Sequence, residues 1–189
     1  MSRVSPAPSE IYEPLFGAQA PLRVQIYAQR PEIAAKFVEF GQLMRDEHIL
    51  PARLLELVRL RVAFHNQCRS CMSVRYSYGV EDGLTEGLVC SLEQPEEAED
   101  LTDAERAAIA YADLMATNHF GVDDQTFARL REHFSEPEIM ELCFTVGISN
   151  AVNRFHATFH TPLDDRTRDA LGATSPLRLP AQPGPDPRE

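Results

Sequence analysis

Leu54-Leu55-Glu56-Leu57-Val58-Arg59-Leu60-Arg61-Val62-Ala63-Phe64-His65-Asn66-Gln67-Cys68-Arg69-Ser70-Cys71 occupies residues 54–71 and decides how the chain is read. A helix is expected from about Pro51 to His65, with proline at its first turn. Its charges at 53, 56, 59, 61 and 65 do not share a face, and leucine, valine and phenylalanine fill positions all round. Such a helix is buried between neighbours, and a carboxylate at Glu56 within it needs a reason to be there. The chain is then expected to turn at Asn66-Gln67-Cys68 into a new helix. A helix N-terminus favours a thiolate through its free N–H groups and the positive end of its dipole. Cys68 and Cys71, three residues apart on one face, can close a disulfide, fill space as reduced thiols, or share a metal.

Outward from this stretch the 3.6-residue periodicity continues and no sustained strand alternation occurs, so the chain is expected to be all-α. A helix is expected over Pro31 to Arg45, with Ile33, Phe37, Phe40 and Met44 at helical spacing. A short helix follows over Cys68 to Tyr78, then a turn at Glu81-Asp82-Gly83 and a helix over Thr85 to Ser91. The acidic run from Glu93 to Asp100 reads as a solvated loop. Thr102-Asp103-Ala104-Glu105 and Ser135-Glu136-Pro137-Glu138 fit the capping box and start two helices, with another over Asp123 to His133 between them. The last helix, Glu136 to His160, is apolar on two sides, which predicts a central or interface position. The expected organisation is an irregular arm over 1–20, one domain over 21–163 and a proline-rich tail over 164–189. From Ala173 onward that tail holds too few large apolar groups to offset the entropy of ordering on its own.

With 189 residues, 43% apolar, the chain can bury one core. A formal charge of −11 without a basic cluster argues against nucleic acid as a partner. No stretch approaches the roughly 20 apolar residues of a membrane span, and residues 1–8 lack the apolar core of a signal peptide. A cytoplasmic location follows as the expectation. Four cysteines are too few for a secreted disulfide framework at this length, and Cys90 and Cys143, on apolar helical patterns, are expected to be inert core residues.

The motif from Leu54 to Cys71 resembles the signature of the carboxymuconolactone decarboxylase and alkylhydroperoxidase D family, and the likeness extends over roughly residues 21–163. It implies a helical bundle of the alkylhydroperoxidase D type with a buried final helix, assembled as a trimer or hexamer, with no organic cofactor and no metal. In that type a glutamate twelve residues before the first cysteine, the two cysteines and two histidines form a proton relay. Glu56, Cys68 and Cys71 match the glutamate and the thiols; Ser70 and Arg75 stand where the histidines would be. An arginine does not exchange protons near neutral pH. Arg75 can instead stabilise a thiolate, pair with Glu56, or lie on the helix's outer side. By the resemblance, Cys71 is the less exposed thiol that meets a hydroperoxide. Cys68 closes the disulfide and is the sulfur attacked by an external dithiol or protein reductant. Glu56 would be the terminal base, or else the partner of Arg59 or Arg75 in a salt bridge.

Asn150-Ala151-Val152-Asn153-Arg154-Phe155-His156-Ala157-Thr158-Phe159-His160 resembles the asparagine-arginine segment in the last helix of family members known only as peroxidase-related. His156 and His160 lie one turn apart on one face. They can cap carbonyls at the helix end, join the cysteines as zinc ligands, or supply the missing relay proton, a role for which His65 is a further candidate. The function implied is a thiol-dependent peroxidase or disulfide oxidoreductase. The alternatives are a non-catalytic oligomeric scaffold or binding module, and a lactone decarboxylase, whose members generally lack the thiol pair.

Overall fold

In the computed structural model, residues 2–162 are described. They form ten α-helices and no strand: α1 Ser9–Phe16, α2 Leu22–Tyr27, α3 Pro31–Asp46, α4 Ala52–His65, α5 Arg69–Met72, α6 Ser77–Glu81, α7 Glu86–Ser91, α8 Asp103–Thr117, α9 Asp124–Arg131 and α10 Glu136–Phe159. Helix starts follow local chemistry. Thr102, Asp123 and Ser135 each close a capping box, with Glu105, Thr126 and Glu138 reaching back to the cap. The α4 N-terminus has no side-chain cap of its own, and Asp82 accepts the Arg53 N–H at 2.9 Å instead.

Helix α4 is the axis of the domain, packed on α8, α10, α6 and α5. Leu54, Leu55, Val58 and Val62 face one apolar cluster with Ile139, Leu142 and Val146 of α10, while Leu57 and Leu60 face a second with Leu88, Leu92 and Ile109. A helix buried on both sides must neutralise its charges, and each one on α4 has a partner. Arg53 pairs with Glu105 at 2.7 Å, Arg59 with Glu56 at 2.6 Å, and Arg61 and His65 both with Asp113 at 2.6 Å.

Three expectations are corrected. The stretch expected to be an irregular arm contains α1, and α2 follows it, with Pro8 and Pro21 as their N-cap residues. The expected helix from Cys68 to Tyr78 is interrupted at residues 73–76. Arg59 takes the carbonyls of Cys71 and Val74, Arg75 takes that of Met72, and the Tyr76 N–H goes to Glu56, so these groups cannot continue a helical ladder. Cys90 is exposed and Cys143 half-buried. α7 buries Leu88 and Val89 and turns Cys90 outward, whereas Cys143 shares a hydrogen bond with the Tyr111 hydroxyl at 3.1 Å. The 93–100 run also folds a 3-10 turn, Pro95–Glu97, which buries Pro95. The proline-rich tail lies outside the described residues.

Among the glycines of the described residues, Gly79 of α6 has the least room for a side chain, because Glu56 lies against it. A Cβ on Gly79 would lie 2.9 Å from both Cβ and Cγ of Glu56, well inside carbon contact distance. Gly79→Ala should therefore lower the unfolding free energy by about 1–3 kcal/mol in urea titration. Gly87→Ala, where the nearest atom is Thr85 Oγ1 at 3.6 Å, should be neutral or stabilising. Equal stability of the two variants would contradict the packing described.

Candidate active site

The site begins where α4 ends. Gln67 adopts a left-handed φ of 50°, which swings the chain into α5. The bend is held from α10: Asn66 donates to the Val62 carbonyl and to Asn150 Oδ1, and Arg154 donates to Asn66 Oδ1 and to the Ala116 carbonyl. The asparagine-arginine patch thus works as a brace for the turn before the cysteines. Cys68 is the N-cap of α5 and accepts the Cys71 N–H at 3.4 Å, with Ser70 Oγ 3.5 Å from its sulfur. Cys68 and Cys71 are joined as a disulfide, Cα atoms 5.2 Å apart.

Glu56 is 0% exposed. Its two oxygens receive Arg59 Nε and Nη2 at 2.6 and 2.7 Å, and Oε1 also receives the Tyr76 N–H at 2.9 Å. Arg59 in turn donates to the carbonyls of Cys71 at 3.0 Å and Val74 at 2.7 Å and lies over the Tyr76 ring at 4.7 Å. Burial alone would lower the Arg59 pKa, but the charge and hydrogen bonds of Glu56 outweigh it and hold the guanidinium charged. Of the readings open for Glu56, the salt bridge with Arg59 is the one observed. Arg75 neither faces the thiols nor lies outside: it is 3% exposed and pairs with Glu86 at 2.9 Å.

A cavity of about 230 Å³ opens beside the pair, between α2, α3, α4, α5 and α10. Cys71 and Ser70 lie on its wall and Cys68 does not, being 0% exposed. This reverses the expected order of exposure, because Cys68 at the N-cap sits beneath α5 while Cys71 is one turn on. Of the three candidate histidines, His156 alone lies on the cavity wall. Its Nε2 shares a 2.8 Å hydrogen bond with the Tyr27 hydroxyl, and burial, aided by the Arg23 charge, lowers its pKa to about 4. His65 is held by Asp113, and His160 is the exposed, left-handed C-cap of α10. Cys68, Cys71, His156 and His160, the set considered for zinc, form no such cluster among the described residues. Tyr27, with its pKa pushed up to about 12 mainly by burial, and Tyr78, also raised by burial and by Glu56, stay protonated on the wall.

Residues 31–116, which carry Glu56, Arg59 and both cysteines, match the carboxymuconolactone decarboxylase family. The match spans a little under half of the chain. An uncharacterised Mycobacterium tuberculosis protein, Rv2313c, is 35% identical over 101 residues, which span 52% of this chain and 34% of that relative. The chain thus matches about a third of its length. A protein of unknown function from Agrobacterium tumefaciens, described as a candidate antioxidant defence protein AhpD, is 26% identical, with a TM-score of 0.63 over 73% of this chain and 97% of that one. The debrominase Bmp8, as a cysteine-to-alanine variant in complex with 2,3,4-tribromopyrrole, is 19% identical, with a TM-score of 0.72 over 91% and 97% of the two chains. That likeness is one of fold.

Sequence reasoning missed Arg59 as the residue that holds the Cys71 backbone, and also the α2 residues Arg23 and Tyr27 on the cavity wall. The first was visible as the i+3 neighbour of Glu56. The second had no periodic signal, since α2 has only six residues.

His156 also makes stability depend on pH. An unfolded chain takes up a proton near pH 6.5, whereas buried His156 resists protonation until about pH 4. Between these values protons favour the unfolded state, so its contribution, roughly 3 kcal/mol at full size, is present above about pH 6.5 and is lost as pH falls towards 4. Urea titrations across this window should show a shallower pH slope for His156→Gln than for the parent. An unchanged slope would remove His156 as the buried neutral group.

Proposed function

We propose that Cys68 and Cys71 are a redox dithiol that reduces an organic hydroperoxide, with Cys71 as the sulfur that meets it. The observation that carries this reading is the placing of Cys71 on the cavity wall with its disulfide partner buried behind it. In the reduced protein the Cys71 thiolate attacks the terminal peroxide oxygen; an S–O bond forms as the O–O bond breaks, and the alkoxide takes a proton and leaves as alcohol. The Cys68 thiolate then attacks the Cys71 sulfur, forming the S–S bond and expelling hydroxide, which is protonated to water. A small dithiol restores the pair. Because Cys68 is buried, the reductant attacks Cys71, Cys68 leaves as thiolate, and the second reductant thiol resolves the mixed disulfide. One hydroperoxide and one dithiol become alcohol, water and a disulfide.

His156 is the residue we assign to carry the Cys71 proton to the departing alkoxide. Its low proton affinity makes it a weak base, so turnover should be slow in a site where Ser70 and Arg75 replace the family histidines. Both Glu56 oxygens are committed to Arg59 and Tyr76, so Glu56 acts by position, through Arg59, rather than as a base. Homo-oligomerisation belongs to the same proposal, supported by the exposed Ile33 and Leu43 on α3 and Phe144 and Phe155 on α10.

A second reading uses the same thiols to remove halogen reductively from an aromatic ring, and the ring-lined wall of Tyr27, Phe37, Tyr76 and Tyr78 favours it. There the dithiol supplies two electrons, the carbon takes a proton, and halide and disulfide are the other products.

Turnover of cumene hydroperoxide with dithiothreitol tests the first reading. Cys71→Ser should abolish it. His156→Gln should cut it by about 100-fold or more while oxidation of the dithiol by diamide persists. Unchanged peroxide consumption in Cys71→Ser would refute the proposal, and bromide release from 2,3,4-tribromopyrrole in the absence of peroxide turnover would favour the second reading.

A further inference from the structure

The charges around the cavity run against those of the chain. Overall the protein is acidic, at −11, yet three arginines, Arg23, Arg45 and Arg59, line the cavity and no aspartate or glutamate does among the described residues. Their charges are not equally committed. Arg59 is neutralised by Glu56, and Arg45 donates to the amide oxygen of Gln42, which carries no charge. Arg23, half-buried on α2, makes no ion pair and no hydrogen bond among the described residues. A half-buried guanidinium without a counter-charge is a strong ligand for a carboxylate when one arrives.

A second set of groups points the same way. Asn153 Nδ2, His156 Nδ1 and Thr161 Oγ1 are buried and have no hydrogen-bond partner among the described residues, and all three residues line this cavity. Asn153 and His156 lie one turn apart on α10, and the Thr161 N–H donates to the His156 carbonyl, so the three are neighbours. Arg23 is near enough for its charge to perturb His156 and Tyr27. An amide N–H, a hydroxyl and an imidazole N–H can all donate, and a carboxylate accepts about four such bonds. The rest of the wall is apolar or aromatic, with Phe37, Val38, Ile148, Val152, Tyr76 and Tyr78. An apolar cavity of ~150 Å³ holds benzene, so about 230 Å³ accommodates a single ring or short chain with one acid group.

We propose that the cavity selects an organic anion, a monocyclic or short-chain carboxylate, held by Arg23 with Asn153 and Thr161 while its apolar body lies along the ring-lined wall beside Cys71. This names the substrate class for the dithiol reading and rests on it for the role of Cys71; the binding itself is measured without turnover.

Calorimetric titration with phenylacetate and with its neutral isostere phenylacetamide tests the assignment, together with the protection of Cys71 in the reduced protein from alkylation by iodoacetamide. Phenylacetate should bind at least ~10-fold more tightly than phenylacetamide and slow Cys71 alkylation. Arg23→Gln should remove that preference, Arg23→Lys should restore most of it, and Asn153→Asp should reverse it by placing a carboxylate on the wall. Equal affinity for acid and amide, no binding of either, binding without protection of Cys71, or an unchanged preference in both Arg23→Gln and Asn153→Asp would each overturn the proposal. Selective phenylacetate binding without peroxide turnover would leave this assignment standing and remove the peroxidase reading. Turnover of neutral hydroperoxides without acid selectivity would do the reverse.

Discussion

The buried pair of Glu56 and Arg59 is the interaction on which the site depends. Burying a carboxylate and a guanidinium side by side costs desolvation of both, and the mutual attraction repays it only when the remaining hydrogen-bonding capacity is also used. Here most of it is used. Arg59 spends two donors on Glu56 and others on the carbonyls of Cys71 and Val74, and Glu56 spends its remaining capacity on the Tyr76 amide. The consequence reaches from α4 into the loop after α5: the backbone immediately following Cys71 is tied to the central helix at three points. Gly79 completes the arrangement by letting α6 approach Glu56 without a Cβ between them.

From this anchor the chemistry is arranged by depth. Cys68, at the N-cap of α5, is enclosed, while Cys71 reaches the cavity wall. The opposite wall comes from α2 and the end of α10, which are themselves joined through the Tyr27–His156 hydrogen bond. The N-terminal segment is held to the end of α10 as well, with the Arg3 N–H and the Ser2 hydroxyl both donating to the Phe159 carbonyl. The cavity thus closes only when segments far apart in sequence meet. Its permanent charges are positive.

Much of the fold was legible because its signals are local. The capping boxes at Thr102 and Ser135 needed only the residue three positions on, and the Cys68–Cys71 spacing was visible at sight. The relation of Arg53 to Glu105 and of Arg61 to Asp113 was not, since each pair spans 52 residues. The same holds for the break at residues 73–76, where carbonyls that a helix would use are captured by an arginine on another element. The exposure of Cys90 escaped for a different reason: α7 has only six residues, too few for periodicity to assign its buried side. The partner of Arg75, Glu86, lies on the helix following the turn at Gly83, and no local spacing marks the pair.

Amide hydrogen exchange across residues 69–76 in Arg59→Lys tests the anchor most directly. A lysine ammonium cannot span both Glu56 oxygens and both carbonyls at once, so the Tyr76 amide and its neighbours should exchange at least ~10-fold faster than in the parent protein while α8 and α10 keep their protection. Unchanged protection of residues 69–76 in that variant would contradict the account.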